Sequence, residues 1–141
     1  MGRQLQVAID CADPDGLAAF WTEALEYGLA EPPDGHASWS EFSAAAAAEP
    51  GEAWSRIVDP DGVGPSVLFH RVPEQKNAKN RMHIDIRVRP PGATDDVARP
   101  CVEAEVRRLV GLGARHVRTD DDEDDYYAVM QDPEGNEFCI G

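Results

Sequence analysis

Basic residues are scarce in this chain. Its 13 Lys and Arg are outnumbered by 27 Asp and Glu, which gives a formal net charge of -14 at pH 7 and an isoelectric point near 4.5. Because an acidic surface repels a phosphate backbone, we expect no nucleic-acid partner. The same field is compatible with a cationic ligand, although it also serves solubility alone.

Long apolar runs and cysteines are equally sparse. No run is long enough to cross a membrane, and the N-terminus lacks the apolar core of a signal peptide. Cys11, Cys101 and Cys139 are odd in number and far apart, which favours reduced thiols over a disulfide framework or a Cys-x-x-Cys metal site. We therefore expect a cytoplasmic protein with no membrane partner.

Several well-known motifs are also missing. The sequence contains no P-loop, no Gly-x-Ser-x-Gly elbow and no Gly-x-Gly-x-x-Gly, which excludes phosphate cradles, serine hydrolases and dinucleotide binding of those types. The acidic run at 120–125 lacks the glycine and the distal glutamate of a calcium loop. We expect that run to be a solvated approach to a hairpin.

What the chain does contain is organised around residues 81–88. With 141 residues and 42% apolar side chains, the chain fits one globular domain. Apolar and polar residues alternate strictly in this stretch, which predicts a β-strand with one face on a core. The apolar face holds Met82, Ile84, Ile86 and Val88, and the polar face holds Arg81, His83, Asp85 and Arg87.

The first half predicts a strand, two helices and two further strands. Asp13 is a favourable N-cap before Pro14, and Gly28 is expected to end the helix in a left-handed conformation. A run of alanines after Ser38 predicts a second, short helix capped by that serine. The predicted elements are a strand at 5–11, a helix between 14 and 28, a helix at 38–48, and strands at 53–58 and 66–72.

The second half begins after a polar crossover at 73–80. A helix is predicted to start near Pro100 and to end at Gly111 and Gly113, with acidic residues early and arginines late as the helix dipole prefers. Its buried stripe is expected to be Val102, Val106, Leu109 and Val110. Short strands are predicted at 115–118, 126–130 and 137–140.

The two halves repeat one pattern. The turn Asp-Pro-Asp-Gly at 59–62 and the turn Asp-Pro-Glu-Gly at 132–135 each precede the last strand of their half. Self-similarity of this kind indicates tandem modules. We therefore predict a single domain with an α+β fold of two βαβββ modules, about 1–75 and about 79–141, with an extra short helix in the first module.

Three stretches carry a family resemblance. They are Cys-Ala-Asp-Pro-Asp-Gly-Leu-Ala-Ala-Phe-Trp at 11–21, Lys-Asn-Arg-Met-His-Ile-Asp at 79–85 and Asp-Pro-Glu-Gly-Asn-Glu-Phe-Cys at 132–139. Together they resemble the vicinal oxygen chelate superfamily of glyoxalases, bleomycin resistance proteins and dioxygenases. The resemblance implies a curved mixed sheet around a cavity, a small-molecule ligand and a homodimer. Because members range from metal-dependent enzymes to metal-free drug-binding proteins, the fold does not give the function.

The resemblance also implies where a metal would bind, because the family's ligands come from the opening and closing strands of each module. In the second module the matching positions are His83 and Glu137, which would be both metal ligands and catalytic residues. Such a pair suits a divalent ion such as Zn, Ni, Fe or Mn, and no other cofactor is expected. The alternative role for His83 is a hydrogen-bonded histidine paired with Glu137 across the sheet.

The first module is less complete. The duplication assigns Gln6 to the position of His83, and glutamine can ligate a metal through its amide oxygen. Counting from the turn assigns either Gly64 or Ser66 to the position of Glu137, and neither is a good ligand. His70 has the same strand parity as Ser66, so it is a candidate for a displaced ligand or a substrate contact.

Two functions follow from these observations. The first is a glyoxalase-like enzyme, a metal-dependent lyase or isomerase in which the metal polarises vicinal oxygens and Glu137 or a nearby carboxylate moves a proton. The alternative is a metal-free binding or resistance protein whose acidic cavity holds a cationic or aromatic natural product. A third possibility is a decayed site that serves regulation or assembly. The expected substrate-binding residues are His70, Asp85, Arg81, Trp39, Trp54 and Tyr127.

One basic patch stands out on this acidic chain. Lys76, Lys79 and Arg81 lie close together in the crossover before the second module. The patch either meets an anionic substrate at the cavity mouth or is a solvated linker.

Overall fold

The computed structural model describes residues 2–122 and 125–141. These residues form two compact units, Met1–Gln75 and Lys76–Gly141. Each unit is built on its own four-stranded sheet. In the part of the chain that the structure describes, no helix combines the length and the apolar character that a membrane span needs.

The first unit contains a mixed sheet with the strand order β1-β4-β3-β2. β1 runs parallel to β4, and the other neighbours are antiparallel. Its elements are β1 (Gln6–Cys11), α1 (Pro14–Leu25), β2 (Gly28–Leu29), a 3-10 turn (Pro33–Gly35), α2 (Trp39–Ala46), β3 (Trp54–Val58) and β4 (Ser66–Arg71).

The second unit repeats this arrangement with the strand order β5-β8-β7-β6. The opening strand β5 again runs parallel to the closing strand β8, and the remaining pairs are antiparallel. Its elements are β5 (Ile84–Ile86), α3 (Asp95–Gly111), β6 (Arg115–Asp122), β7 (Asp125–Gln131) and β8 (Glu137–Ile140). The predicted α+β fold of two tandem βαβββ modules, with an extra short helix in the first, is confirmed.

The two repeated turns share one geometry. The Asp59 carboxylate accepts from the N–H of Asp61 at 2.9 Å, and the Asp132 carboxylate accepts from the N–H of Glu134 at 2.9 Å. The glycine that ends each turn has a positive φ, 68° at Gly62 and 85° at Gly135. Side chains rarely adopt that conformation, so the spacing from aspartate to glycine is a physical requirement of both turns.

Helix α1 begins as predicted and ends differently. The Asp13 side chain accepts from the N–H of Gly16 at 3.1 Å, and Pro14 is the first helical residue. The predicted termination at Gly28 is wrong, because Glu26 takes the left-handed conformation with φ 57° and Gly28 opens β2. The chain needs its turn earlier, so that β2 can pair with β3.

Helix α2 is capped as predicted, since the Ser38 hydroxyl accepts from the N–H of Glu41 at 3.0 Å. It ends at Ala46, so the alanine run past that residue is not helical. Trp39 is 6% exposed, and its ring lies 5.5 Å from that of Phe42. These two rings dock the helix on the first unit.

Helix α3 starts at Asp95, and the prediction of a start near Pro100 is wrong. Pro100 lies inside the helix, where it has no N–H to donate to the Asp96 carbonyl. Acidic residues in the first turn favour the earlier start through the helix dipole. Of the predicted stripe, Val102 and Leu109 are buried, but Val110 is 46% exposed.

The organising strand is shorter than predicted. β5 covers only Ile84–Ile86, and Met82 is 85% exposed rather than buried. Ile84 pairs with Phe138, and β8 begins just one residue earlier, so the partner strand runs out before Met82. On the other side, Val88 N–H still donates to the Gly141 carbonyl at 2.9 Å.

The hairpin of β6 and β7 is longer than predicted. β6 covers Arg115–Asp122 with an irregularity between His116 and Arg118, and it extends into the acidic run. The rest of that run, at 123–124, lies outside the described residues. β7 begins at Asp125 and contains the buried core residues Tyr126, Ala128 and Met130.

Candidate functional site

The sheet registers place the predicted opening and closing residues opposite each other. In the first module Gln6 pairs with Ser66, and the Ser66 hydroxyl donates to Gln6 Oε1 at 3.1 Å. In the second module the pairing begins at Ile84 and Phe138, the residues that follow His83 and Glu137, and His83 itself precedes β5. The register therefore makes Ser66, rather than Gly64, the counterpart of Glu137.

His70 lies further along β4 in the first module. Its Nε2 is 3.3 Å from Glu52 Oε1, and its Nδ1 is 3.9 Å from Asp10 Oδ1. Its ring stacks on Trp54 with the centroids 4.9 Å apart and the planes 7° apart. The ring thus has a carboxylate near each nitrogen and an indole on one face.

Trp39 is part of the packing of the first module. Its Nε1 donates to the Ala30 carbonyl at 2.7 Å, and the residue is 6% exposed. The Arg56 guanidinium lies 5.9 Å from its ring centroid. Because the Trp39 indole is buried and its N–H is already hydrogen-bonded, it offers little surface to a ligand.

The second module contains an open pocket of about 490 Å³. Four of the predicted site residues line it, namely His83, Asp85, Tyr127 and Glu137, whereas Arg81 is not among its lining residues. The remaining lining residues are Lys79, Ile86, Arg87, Arg89, Arg118, Asp125, Val129, Cys139 and Gly141.

Glu137 is held firmly at the wall of this pocket. Its Oε2 accepts from the N–H of Asn80 at 2.9 Å and lies 3.1 Å from Lys76 Nζ, while Gln131 Nε2 donates to its Oε1 at 3.4 Å. Burial raises the pKa of Glu137, but the Asn80 N–H, the Lys76 ammonium and the Gln131 amide outweigh it and lower the pKa from 4.5 to about 2. The carboxylate is therefore ionised and already has a cation beside it.

His83 belongs to a second cluster in the same pocket. Its Nε2 lies 3.4 Å from Asp85 Oδ1. Ligand atoms of His83, Asp85 and Cys139 all lie within 4.8 Å of one another, and Asp85 and Cys139 are paired in the β5–β8 register. Burial and the Asp85 charge raise the pKa of the Cys139 thiol, so it is protonated at neutral pH.

The cationic side chains of the pocket differ in whether they form ion pairs with carboxylates. Arg89 lies 3.4 Å from Asp125 and donates to the Tyr126 carbonyl at 3.0 Å. Arg118 donates to Asp120 at 2.8 Å. Across 2–122 and 125–141, by contrast, no carboxylate forms an ion pair with Lys79 or Arg87.

Tyr127 also lines the pocket, as does Arg118 of the neighbouring strand β6. A hydrogen bond with Asp120 and the charge of that carboxylate raise the pKa of the Tyr127 phenol. Its hydroxyl is therefore a proton-bearing donor at neutral pH, and it is shared with the acidic side chain of the neighbouring strand.

Two important residues were not predicted from sequence. Cys139 was treated only as a reduced thiol, although its register position opposite Asp85 follows from the offset between β5 and β8. Lys76 was placed in a solvated or substrate-facing patch, and nothing in its local sequence indicates a partner 61 residues away. The strand register could have predicted the position of Cys139 opposite Asp85, but it could not have predicted the contact between Lys76 and Glu137.

Comparison with known proteins shows the family of this chain. A family model described as a glyoxalase-like domain matches residues 6–141. No curated protein sequence matches the chain significantly. Solved structures of low sequence identity share its fold, as the next three comparisons show.

The first is a glyoxalase/bleomycin resistance protein/dioxygenase family enzyme from Burkholderia phytofirmans PsJN, with a TM-score of 0.64, 15% identity and coverage of 96% of this chain and 94% of that one. The second is a domain of the same description from Frankia sp. EAN1pec, with a TM-score of 0.63, 13% identity and coverage of 99% and 90%. The third is a fosfomycin resistance protein, FosX, from Listeria monocytogenes, complexed with Mn(II) and 1S,2S-dihydroxypropylphosphonic acid, with a TM-score of 0.65, 9% identity and coverage of 99% and 91%.

At these identities the structural likeness concerns the fold alone. The family model covers both modules, including the paired residues Gln6 and Ser66 and the predicted site residues His83 and Glu137. The chain therefore belongs to the glyoxalase-like domain family of the vicinal oxygen chelate superfamily.

Proposed function

We propose that this protein is a small-molecule enzyme, a lyase or isomerase of the glyoxalase-like type, whose reaction site is the second-module pocket with a divalent metal ion. The observation that carries this proposal is the convergence of three different donor groups on one pocket wall. The ligand atoms of His83, Asp85 and Cys139 lie within 4.8 Å of one another. Imidazole, carboxylate and thiolate are the ligand types of borderline metals such as Zn, Ni and Fe.

The geometry of these donors fits a metal ion. Ligand atoms of a tetrahedral zinc site are roughly 3.5 Å apart, given metal–ligand distances of about 2.0–2.3 Å. His83 Nε2 and Asp85 Oδ1, at 3.4 Å, already have that separation. The Cys139 thiol lies within 4.8 Å of both atoms, and three protein ligands would leave a position for the substrate.

Glu137 and Gln6 complete the ligand set implied by the family, and they remain predictions. Glu137 is ionised, as a ligand must be, but it would have to give up Lys76 at 3.1 Å before it could bind a metal. Gln6 accepts a hydrogen bond from Ser66 in the first module. His83 is common to both sets, so it is the residue on which the metal proposal depends most.

The bound metal would polarise adjacent oxygens of the substrate. The chain's own contribution is to orient the substrate. Glu137, with a pKa of about 2, is a weak base at neutral pH, and Asp85 is one of the proposed metal ligands, so neither carboxylate is assigned the proton transfer. Tyr127 lines the same pocket, where its ring and its hydroxyl oxygen can contact the substrate.

The experiment that tests this function is metal analysis of protein purified without a polyhistidine tag, followed by calorimetric titration with Zn, Ni and Mn. We expect one site with a Kd below about 10 μM, and at least a tenfold loss, about 1.4 kcal/mol, in His83→Ala. His116→Ala is the matched control, since His116 is exposed on β6 and its Nε2 pairs with Thr119 at 2.9 Å. Equal losses in both variants, or no binding in the wild type, would rule out the proposed site.

The metal-free binding protein remains the second candidate, and one observation favours it. The Lys76 ammonium already provides Glu137 with a positive charge. In that case Tyr127 is the aromatic contact within the second-module pocket, since Trp39 and Trp54 belong to the first module. Strong thermal stabilisation by a natural product in the presence of EDTA, without any metal binding, would select this alternative.

The homodimer implied by the family is also a proposal. Sedimentation equilibrium over a range of concentrations tests it directly, and a mass of 15.4 kDa throughout would contradict it.

A further inference from the structure

We infer that the second-module pocket holds the anionic group of its ligand, a carboxylate, phosphate or phosphonate, on Lys79 and Arg87. The inference deepens the proposed function, because it names the substrate class for the same pocket. It does not depend on the metal, because it rests on other side chains.

The charge of the pocket is opposite to that of the chain. Acidic residues outnumber basic ones by 27 to 13 in the sequence. Among the described residues the pocket lining has the opposite majority, with four cations, Lys79, Arg87, Arg89 and Arg118, and three carboxylates, Asp85, Asp125 and Glu137. Lys76, which is outside the lining, also compensates Glu137, so the pocket is more positive than its own lining suggests.

Two of these four cations are available to a ligand. Arg89 and Arg118 are held by Asp125 and Asp120, at 3.4 and 2.8 Å. Lys79 and Arg87 are exposed, and among the described residues neither has a carboxylate partner. An anion that binds these two breaks no existing ion pair, whereas binding to the other two would.

Both cations line the same pocket as the proposed reacting groups. Lys79 lines it together with Cys139. His83, Asp85 and Arg87 alternate along one strand direction, and all three line the pocket. Residues two apart on a strand are separated by about 6.6 Å, so a compact ligand can reach Asp85 with its reacting atoms and Arg87 with its anionic group.

The local cations prevail over the overall negative charge. At physiological salt the Debye length is about 8 Å, so most acidic groups of the surface are screened from the pocket. Lys79 and Arg87 would contact the anion directly. A pocket of about 490 Å³ lies within the usual range for small ligands.

The experiment is a titration of ¹⁵N-labelled, tag-free protein followed by amide chemical shifts. The probes are inorganic phosphate, methylphosphonate and acetate, with acetamide as the neutral counterpart of acetate. EDTA is present and the ionic strength is constant. The variants are Lys79→Gln and Arg87→Gln, with Arg107→Gln as the control, because Arg107 is exposed on α3 and outside the pocket lining.

We expect at least one anion to cause saturable shifts in the amides of residues 83–88 and 137–141, and acetamide to cause none. Lys79→Gln and Arg87→Gln should each weaken that binding at least fivefold, whereas Arg107→Gln should change it less than twofold. The most tightly bound anion identifies the substrate's group. The inference is overturned if no anion saturates, if acetamide binds as acetate does, or if Arg107→Gln weakens binding as much as Arg87→Gln.

Failure of this inference is distinguishable from failure of the proposed function. Anion binding in EDTA without any metal affinity would leave the anion site in place and remove the metal site. Metal binding without any saturable anion would do the reverse.

Discussion

The two modules share a frame but differ in what they place on it. Each has a parallel pairing of its opening and closing strands, and each has an open pocket of about 490 Å³. The first-module pocket is lined largely by turn residues, with Arg3 and Asp59 as its charged side chains. The described lining of the second-module pocket includes four cations, three carboxylates, His83 and Cys139. The two modules therefore keep the same pairing of their opening and closing strands, while the second-module pocket has the more highly charged lining.

The ladder positions show the same contrast at the level of single bonds. Gln6 and Ser66 are neutral, and they satisfy each other with one hydrogen bond of 3.1 Å. Glu137 is charged and is surrounded by Lys76, Asn80 and Gln131. The contribution of Glu137 to the free energy of unfolding should therefore be larger, and more sensitive to pH, than that of the Gln6–Ser66 pair.

The largest difference between the modules is expected at their turns. Asp132 is 3% exposed and accepts from the N–H of Glu134 and of Asn136, and from the Asn136 amide. Asp132→Ala leaves these half-buried donors without their acceptor and should lower the free energy of unfolding by about 2 kcal/mol. Asp59→Ala, in a more exposed turn, should lower it clearly less.

Urea unfolding followed by far-ultraviolet circular dichroism measures both variants. Tryptophan fluorescence is unsuitable for Asp132, because Trp21, Trp39 and Trp54 all lie in the first module. Equal losses for the two variants would show that burial does not distinguish the turns.

The next effect concerns the cation beside Glu137. Lys76→Met leaves that carboxylate, whose side chain is 15% exposed, without its charged partner. We expect a loss of about 1–2 kcal/mol in urea unfolding and a higher affinity for zinc, since a metal no longer has to displace the ammonium. Lys79→Met is the control and should change stability by less than about 0.5 kcal/mol. Unchanged zinc affinity in Lys76→Met would show that Glu137 takes no part in metal binding.

A pH titration sharpens the contrast further. The folded-state pKa of Glu137 is about 2 and its ordinary value is 4.5, so its ionised form stabilises the fold fully above pH 4.5. That stabilisation is lost as the pH falls from 4.5 towards 2. The difference in unfolding free energy between the wild type and Glu137→Gln should therefore be largest above pH 5 and shrink at lower pH. A difference that stays constant with pH would contradict the lowered pKa.

The smallest effect is expected in the first module. Ser66→Ala removes the bond to Gln6, which is exposed, so water replaces the hydroxyl. We expect a change of about 0.5 kcal/mol or less, independent of pH. A larger loss would show that the neutral pair is as important as the charged one, and the contrast between the modules would fail.

Much of the fold could be predicted because it depends on local chemistry. The caps at Asp13 and Ser38 and the turns at Asp59 and Asp132 each follow from a side chain that bonds to a nearby N–H. The errors occurred where distant pairing decides the outcome. Glu26 ends α1 early because β2 must reach β3, and β5 stops short of Met82 because β8 has no residue left to pair with it.

The candidate site shows the same division. Alternation correctly brought His83 and Asp85 to one wall, since the period of a strand is local. Lys76 could not be assigned to Glu137, because their contact depends on how the crossover folds back on β8. Trp39 was expected to face a ligand but is buried, because residue type alone does not distinguish a packing aromatic from a binding one.

The most direct test of the central claim is a titration with Co(II), which substitutes for zinc and reports its own ligands. Binding to His83, Asp85 and Cys139 predicts a near-ultraviolet charge-transfer band from the thiolate to the cobalt ion. The band should persist in Cys101→Ser, the matched cysteine control, and disappear in Cys139→Ser and His83→Ala. A wild type without the band, or a band that survives Cys139→Ser, would contradict the proposed metal site in the second module.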